Sequence, residues 1–173
     1  MTRDGLTGLP TVEDVALALV EGAAPFGVFV DIDGLVHATD HFGYAHSDEV
    51  IVRVAEVVAG ACRGFAQSQV FRIDGDEFLA IVPEASHGDA LDLARSIIAK
   101  VSALCLEYAR RDVPSRRHVT ANAVVSRVTA ALSPQIRAVR EWSADHVWRA
   151  KAEDVGRTEV VVDAGESLPP WAD

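Results

Sequence analysis

The chain has 173 residues, 49% apolar and 24% charged, a balance expected of one soluble domain with a substantial core. Its 16 Lys and Arg against 26 Asp and Glu give a formal net charge of −10, which argues against nucleic acid or an anionic membrane as the main partner but leaves room for a nucleotide held through a metal ion. The N-terminus MTRDGLTGLP lacks the apolar core of a signal peptide and no apolar run is long enough to span a bilayer, so a cytoplasmic location is expected. Cys62 and Cys105 show no metal-ligand spacing and read as buried thiols.

In chain order, residues 3–10 (RDGLTGLP) are turn-rich, and Pro10 stops any regular element. Thr11 is expected to cap a helix whose apolar stripe runs from Val12 to Val20 and stops at Gly22. Phe26 to Ile32 is nearly continuously apolar, as a buried central strand should be, and it ends in Asp31-Ile32-Asp33-Gly34. A loop is expected from Gly34 to His46, followed by a helix capped by Ser47 with Asp48 and Glu49 in its first turn. Residues 70–82 read as a hairpin turning at Asp74-Gly75 in a type I′ turn. A long helix is expected from Asp89 to about Arg110, a basic loop over 110–118 and a strand over Val119–Val128. Ser133-Pro134 opens a last helix to about Glu153, a strand follows at Glu159–Val162, and residues 162–173 read as a loose tail of a single 1–173 domain.

The stretch carrying the most chemistry is FRIDGDEFLA at 71–80. Asp74, Asp76 and Glu77 crowd three carboxylates onto one turn, and their repulsion must be offset by water, a basic group or a cation. Strand-helix-strand-strand-helix-strand is the ferredoxin-like order, so the expected fold is α/β (α+β), with a palm-type central antiparallel sheet flanked by helices. That order sets the first strand beside the hairpin. Asp31 then faces Asp76 and Glu77 in the manner of a Mg²⁺ site for nucleotide phosphates. Five of the six histidines, His37, His41, His46, His87 and His118, read as ordinary loop residues, although they would offer acid-base groups near neutrality. Trp142, Trp148 and Trp171 read as core or tail aromatics.

RDGLTGLP (3–10), DIDGLVHATDHFGYAHSDEVI (31–51), FRIDGDEF (71–78) and AKAEDVGRTEVVV (150–162) together resemble the GGDEF domains of the diguanylate cyclase family. The resemblance implies a palm-like fold, Mg²⁺ (or Mn²⁺), GTP or a related nucleotide as ligand, and a homodimer that joins two GTP into cyclic di-GMP. It makes Asp31, the carbonyl of Ile32 and Asp76 the metal ligands. Asp76 and Glu77 become the catalytic carboxylates, and Asp48, Thr39, Asp74, Gly75 and Lys151 the substrate-contacting positions. Several positions depart from the family pattern. Asp74 stands for the first signature glycine, Val36 for a lysine, Thr39 for an asparagine, Tyr44 for a histidine and Ser47 for a glycine. Phe65 and Ser68 occupy the product-inhibition positions, and Asn122-Ala123-Val124 replaces Ser-Ile-Gly. Two further readings stay open beside the cyclase: an inactive module binding a nucleotide or a protein, and a GTP-hydrolysing or ring-opening enzyme on the same fold.

Overall fold

A computed structural model of the protein describes residues 2–19, 25–110, 113–128 and 161–163. The apolar run at 26–32 forms β1 (Phe26–Asp33), the middle strand of a five-stranded sheet in the order β2 (Gln69–Asp74), β3 (Glu77–Val82), β1, β6 (Thr120–Arg127), β7 (Val161–Asp163). Pairing is antiparallel from β2 to β6, whereas β6 and β7 run parallel, so the sheet is mixed at one edge. β1 alternates between two cores because successive side chains point to opposite faces. Val28, Val30 and Ile32 pack under the long helices, while Phe29 joins Phe71, Leu79 and Val124 on the other face under Val15 and Leu19.

The N-terminal segment turns back on itself through an Arg3–Pro10 bridge, with Gly8 at φ +70. Thr11 precedes a short 3-10 turn (Val12–Asp14) and α1 (Val15–Ala18), but its hydroxyl makes no capping bond. The expected loop at 34–46 is instead α2 (Leu35–Phe42), and α3 (Tyr44–Cys62) starts three residues before Ser47. Gly34 and Gly43 bracket α2 at φ +84 and +85, a backbone region that glycine enters without steric cost. Leu35 and Ala38 turn inward onto the core, a short apolar face obscured in the sequence by the histidines around it. Ser47 is buried inside α3, and its hydroxyl donates back to the Tyr44 carbonyl at 2.9 Å.

α4 (His87–Ala103) begins at a Ser86–Asp89 capping box, two residues before the expected start, and ends well short of Arg110. Cys105 sits at φ +51 and is exposed, not buried, which breaks the helix. The chain then forms a two-stranded hairpin, β4 (Glu107–Arg110) with β5 (Val113–His118), where a basic loop was expected. β7 extends through Val162 and Asp163, so the tail cannot begin at 162. The expected helix from 133 to 153, and all three tryptophans, lie outside the described residues.

None of those five histidines lies in a loop. His37 and His41 are on α2, His46 is on α3 with Nε2 3.0 Å from the Glu107 carbonyl, His87 opens α4 and His118 closes β5. His87 stacks on Phe26 at 5.2 Å and its Nε2 meets the Asp163 carboxylate at 2.8 Å, tying α4 to the β7 edge. No described helix is long and apolar enough to cross a membrane.

Candidate metal and nucleotide site

β1 delivers Asp31 to one end of the sheet because its even-numbered residues are committed to the helix-side core. Asp31 pairs in register with Glu77 of β3 and with Asn122 of β6. Residues directly opposite in an antiparallel pair project to the same face, with Cβ atoms about 4.5–5.5 Å apart. Glu77, Asp31 and Asn122 therefore form a row across three strands, with both carboxylates half-buried. The Ile32 amide donates to the Asp76 carbonyl at 3.1 Å, which holds the turn against the end of β1. Of the positions expected from sequence, Asp31, Ile32, Asp76 and Glu77 are thus brought together. Asp74 and Gly75 are on the same turn, both exposed.

The turn differs from the expected type I′ geometry. Asp74 pairs with Glu77, so the turn residues are Gly75 and Asp76, and no residue from 74 to 76 has positive φ. Arg72 supplies what the turn type does not. Its Nε and Nη2 both donate to the Gly75 carbonyl, at 3.1 and 2.7 Å. Its Nη1 donates to both carboxylate oxygens of Asp4, at 2.9 and 3.0 Å. One guanidinium thus braces the signature turn against the RDGLTGLP segment. Burial alone would push Asp4 up, but the Thr7 hydroxyl and amide and the Arg72 guanidinium outweigh it and hold Asp4 at about 2. Gly75 is not needed for backbone conformation, and a Cβ placed there meets no atom within 4 Å. Its missing side chain leaves bare backbone facing open space, suited to close approach of a ligand.

Thr39 and Asp48 are carried by α2 and α3 rather than by the sheet. The Thr39 hydroxyl donates to the Leu35 carbonyl at 2.9 Å, and Asp48 is exposed. Val36 and Tyr44, at positions where the family pattern has Lys and His, are 68% and 80% exposed, so the starts of α2 and α3 each present an uncharged side chain at the surface. Lys151 lies outside the described residues.

Two carboxylates and a backbone carbonyl are all-oxygen donors, which suits Mg²⁺ or Mn²⁺. No group of three or more His, Cys, Asp or Glu side chains poised for a metal occurs among the described residues. Mg²⁺ at nucleotide sites is commonly held by one or two carboxylates with substrate phosphates and water completing its shell, so this donor set fits. Sequence reasoning missed Arg72 with Asp4, and Asn122 with Asp33. The signal for Asn122 was a lone amide inside an otherwise apolar strand.

The sequence pattern of the family described as "Diguanylate cyclase, GGDEF domain" matches residues 2–153. The chain belongs to the GGDEF family. Among curated GGDEF proteins it is 38% identical over 77 residues to the diguanylate cyclase TpbB of Pseudomonas aeruginosa, covering 44% of this chain and 17% of that protein. It is 29% identical over 108 residues to the bifunctional diguanylate cyclase/cyclic di-GMP phosphodiesterase MucR of the same species, covering 58% of this chain and 16% of MucR. The match thus spans about a sixth of these relatives. Among solved GGDEF structures, the domain of DgcB from Caulobacter crescentus in complex with c-di-GMP superposes with a TM-score of 0.70 at 24% identity, over 94% of this chain and 95% of that one. The isolated GGDEF domain of TpbB from P. aeruginosa gives 0.69 at 25% identity over 95% of each chain.

Proposed function

We propose that this GGDEF domain binds GTP through Mg²⁺ or Mn²⁺ and performs diguanylate cyclase-type nucleotidyl transfer with a weakened hold on its substrate. The observation that carries this reading is the in-register Asp31–Glu77 pair, with the Asp76 carbonyl bonded to the Ile32 amide beside it. Asp31, the Ile32 carbonyl and Asp76 would hold the cation. When bound, it would offset charge on the phosphate oxygens during attack of a ribose 3′-hydroxyl on the α-phosphorus. Glu77, next to that ligand set, would accept the hydroxyl proton. The bare backbone of Gly75 gives the nucleotide room, and Asp48 would accept from the adjacent guanine N–H groups, a two-donor match for a carboxylate. Two such sites must meet to make one product, so the active assembly is a homodimer.

The weakened hold comes from this chain's own departures. Asp74 brings a negative charge to the turn that an anionic substrate must approach, and Val36 offers a phosphate no charge-assisted bond. Each such lost contact costs on the order of 1.5–3 kcal/mol. Incubation with GTP and Mn²⁺ followed by chromatography should yield cyclic di-GMP at a low rate, abolished by Glu77→Gln. A different product, or GTP left intact, would contradict transferase activity. Asp74 and the internally bonded Thr39 hydroxyl favour a second reading, a nucleotide-binding module without turnover. GTP bound in calorimetry but never consumed would establish it.

A further inference from the structure

A third carboxylate shares the face of Asp31 and Glu77. Asp33 is two residues along β1, pairs with Thr120 and is half-buried. Its Oδ2 accepts from Asn122 Nδ2 at 2.6 Å and from Thr120 Oγ1 at 3.2 Å. Asn122 itself has no solvent exposure, although it lies in a strand whose neighbours Ala121, Ala123, Val124 and Val125 are buried apolar residues. A buried amide in such a strand costs stability unless its bonds are made, so its short bond to a carboxylate is a committed arrangement. Asn122 is also the register partner of Asp31. One side chain therefore stands beside the first carboxylate and holds the next one.

We propose that Asn122 is a positioning residue for the Asp31–Glu77 pair: by holding Asp33 against β6, it keeps a third negative charge beside a divalent cation bound there. This rests on the metal-nucleotide reading above. Three carboxylates on one face add their attraction for a cation. Two donors converging on one oxygen of Asp33 fix that carboxylate towards Thr120 and keep its negative charge beside the Asp31–Glu77 pair instead of letting it turn out to solvent. Partners that orient the groups around a metal typically change its affinity by about 10–100-fold when removed.

The test is a titration of Mn²⁺ alone into the full chain, followed by the electron paramagnetic resonance signal of free Mn²⁺, with thermal melts to confirm folding. Asn122→Ala is expected to raise the Kd about tenfold. The distinguishing prediction concerns Asp33→Asn: in that background Asn122→Ala should change the Kd little, because a neutral side chain at 33 leaves Asn122 no charge to hold near the cation. A Kd unchanged by Asn122→Ala would overturn the proposal, and so would an Asn122→Ala effect that persists in full with Asp33→Asn. If Asn122→Ala does not fold, Thr120→Val removes the longer donor bond at a half-buried site and should weaken Mn²⁺ about threefold, no change again counting against the idea. Wild-type protein that binds no Mn²⁺ would instead contradict the metal site itself.

Discussion

At the scale of single residues, the strongest local claim concerns Arg72. Its guanidinium serves two oxygens of Asp4 and one of Gly75 at once, and it is only 14% exposed. Arg72→Ala should cost about 2–3 kcal/mol in urea unfolding, since it strips charge-assisted bonds from half-buried groups. Arg72→Lys should recover little of it, because an ammonium cannot span that fork. The Asp4 value, about 2 against an ordinary 3.8, lies below the unfolded one. The stabilisation is therefore complete above about pH 4 and lost as pH falls towards 2, an effect on the order of 1–2 kcal/mol. Stability of Asp4→Asn should be correspondingly flatter over that acid range, and an unchanged slope would refute the assignment. The cysteines separate just as clearly. Burial pushes the Cys62 thiol up to about 11, and Cys105 is exposed. A thiol reagent at pH 8 should label Cys105 in the native protein and reach Cys62 only after unfolding. Gly75→Ala should leave the melting temperature unchanged or raise it while weakening GTP, since the position is sterically open within the protein.

At the scale of elements, β1 organises the molecule, and its packing leaves little slack. A Cβ on Gly27 would lie 2.6 Å from Val128 Cγ1 and 3.2 Å from Leu79 Cδ1. Gly27→Ala should therefore destabilise by about 1–3 kcal/mol, and Val128→Ala should partly suppress the defect, making the pair non-additive in denaturant melts. The central strand and the hairpin were legible in sequence because apolar runs bounded by acidic turns admit few other structures. Pairing β1 with β3 followed from the element order. α2 was not legible, because two glycines at positive φ set its limits and polar residues fill half of its length. The β4–β5 hairpin was hidden by its charge. Asp33 and Asn122 are 89 positions apart and Asp4 and Arg72 are 68 apart, so no local pattern could pair them.

At the scale of the whole molecule, the proposed site lies at the Asp31–Glu77 end of the sheet, and the departures at Asp74, Val36 and Thr39 are expected to weaken its hold on a nucleotide. If two copies must meet to join two nucleotides, the specific activity should rise with protein concentration in the range where the dimer forms. A specific activity independent of concentration would point to a single-chain reaction. The central claim, that the Asp31–Glu77 end of the sheet is a metal-nucleotide site, is tested most directly by calorimetric titration of GTP into wild-type protein and Asp31→Asn, each with Mn²⁺ and with a chelator. The account predicts binding to wild type only when Mn²⁺ is present, and its loss in Asp31→Asn at an unchanged melting temperature. Equal GTP binding with the chelator, or undiminished binding in Asp31→Asn, would contradict it.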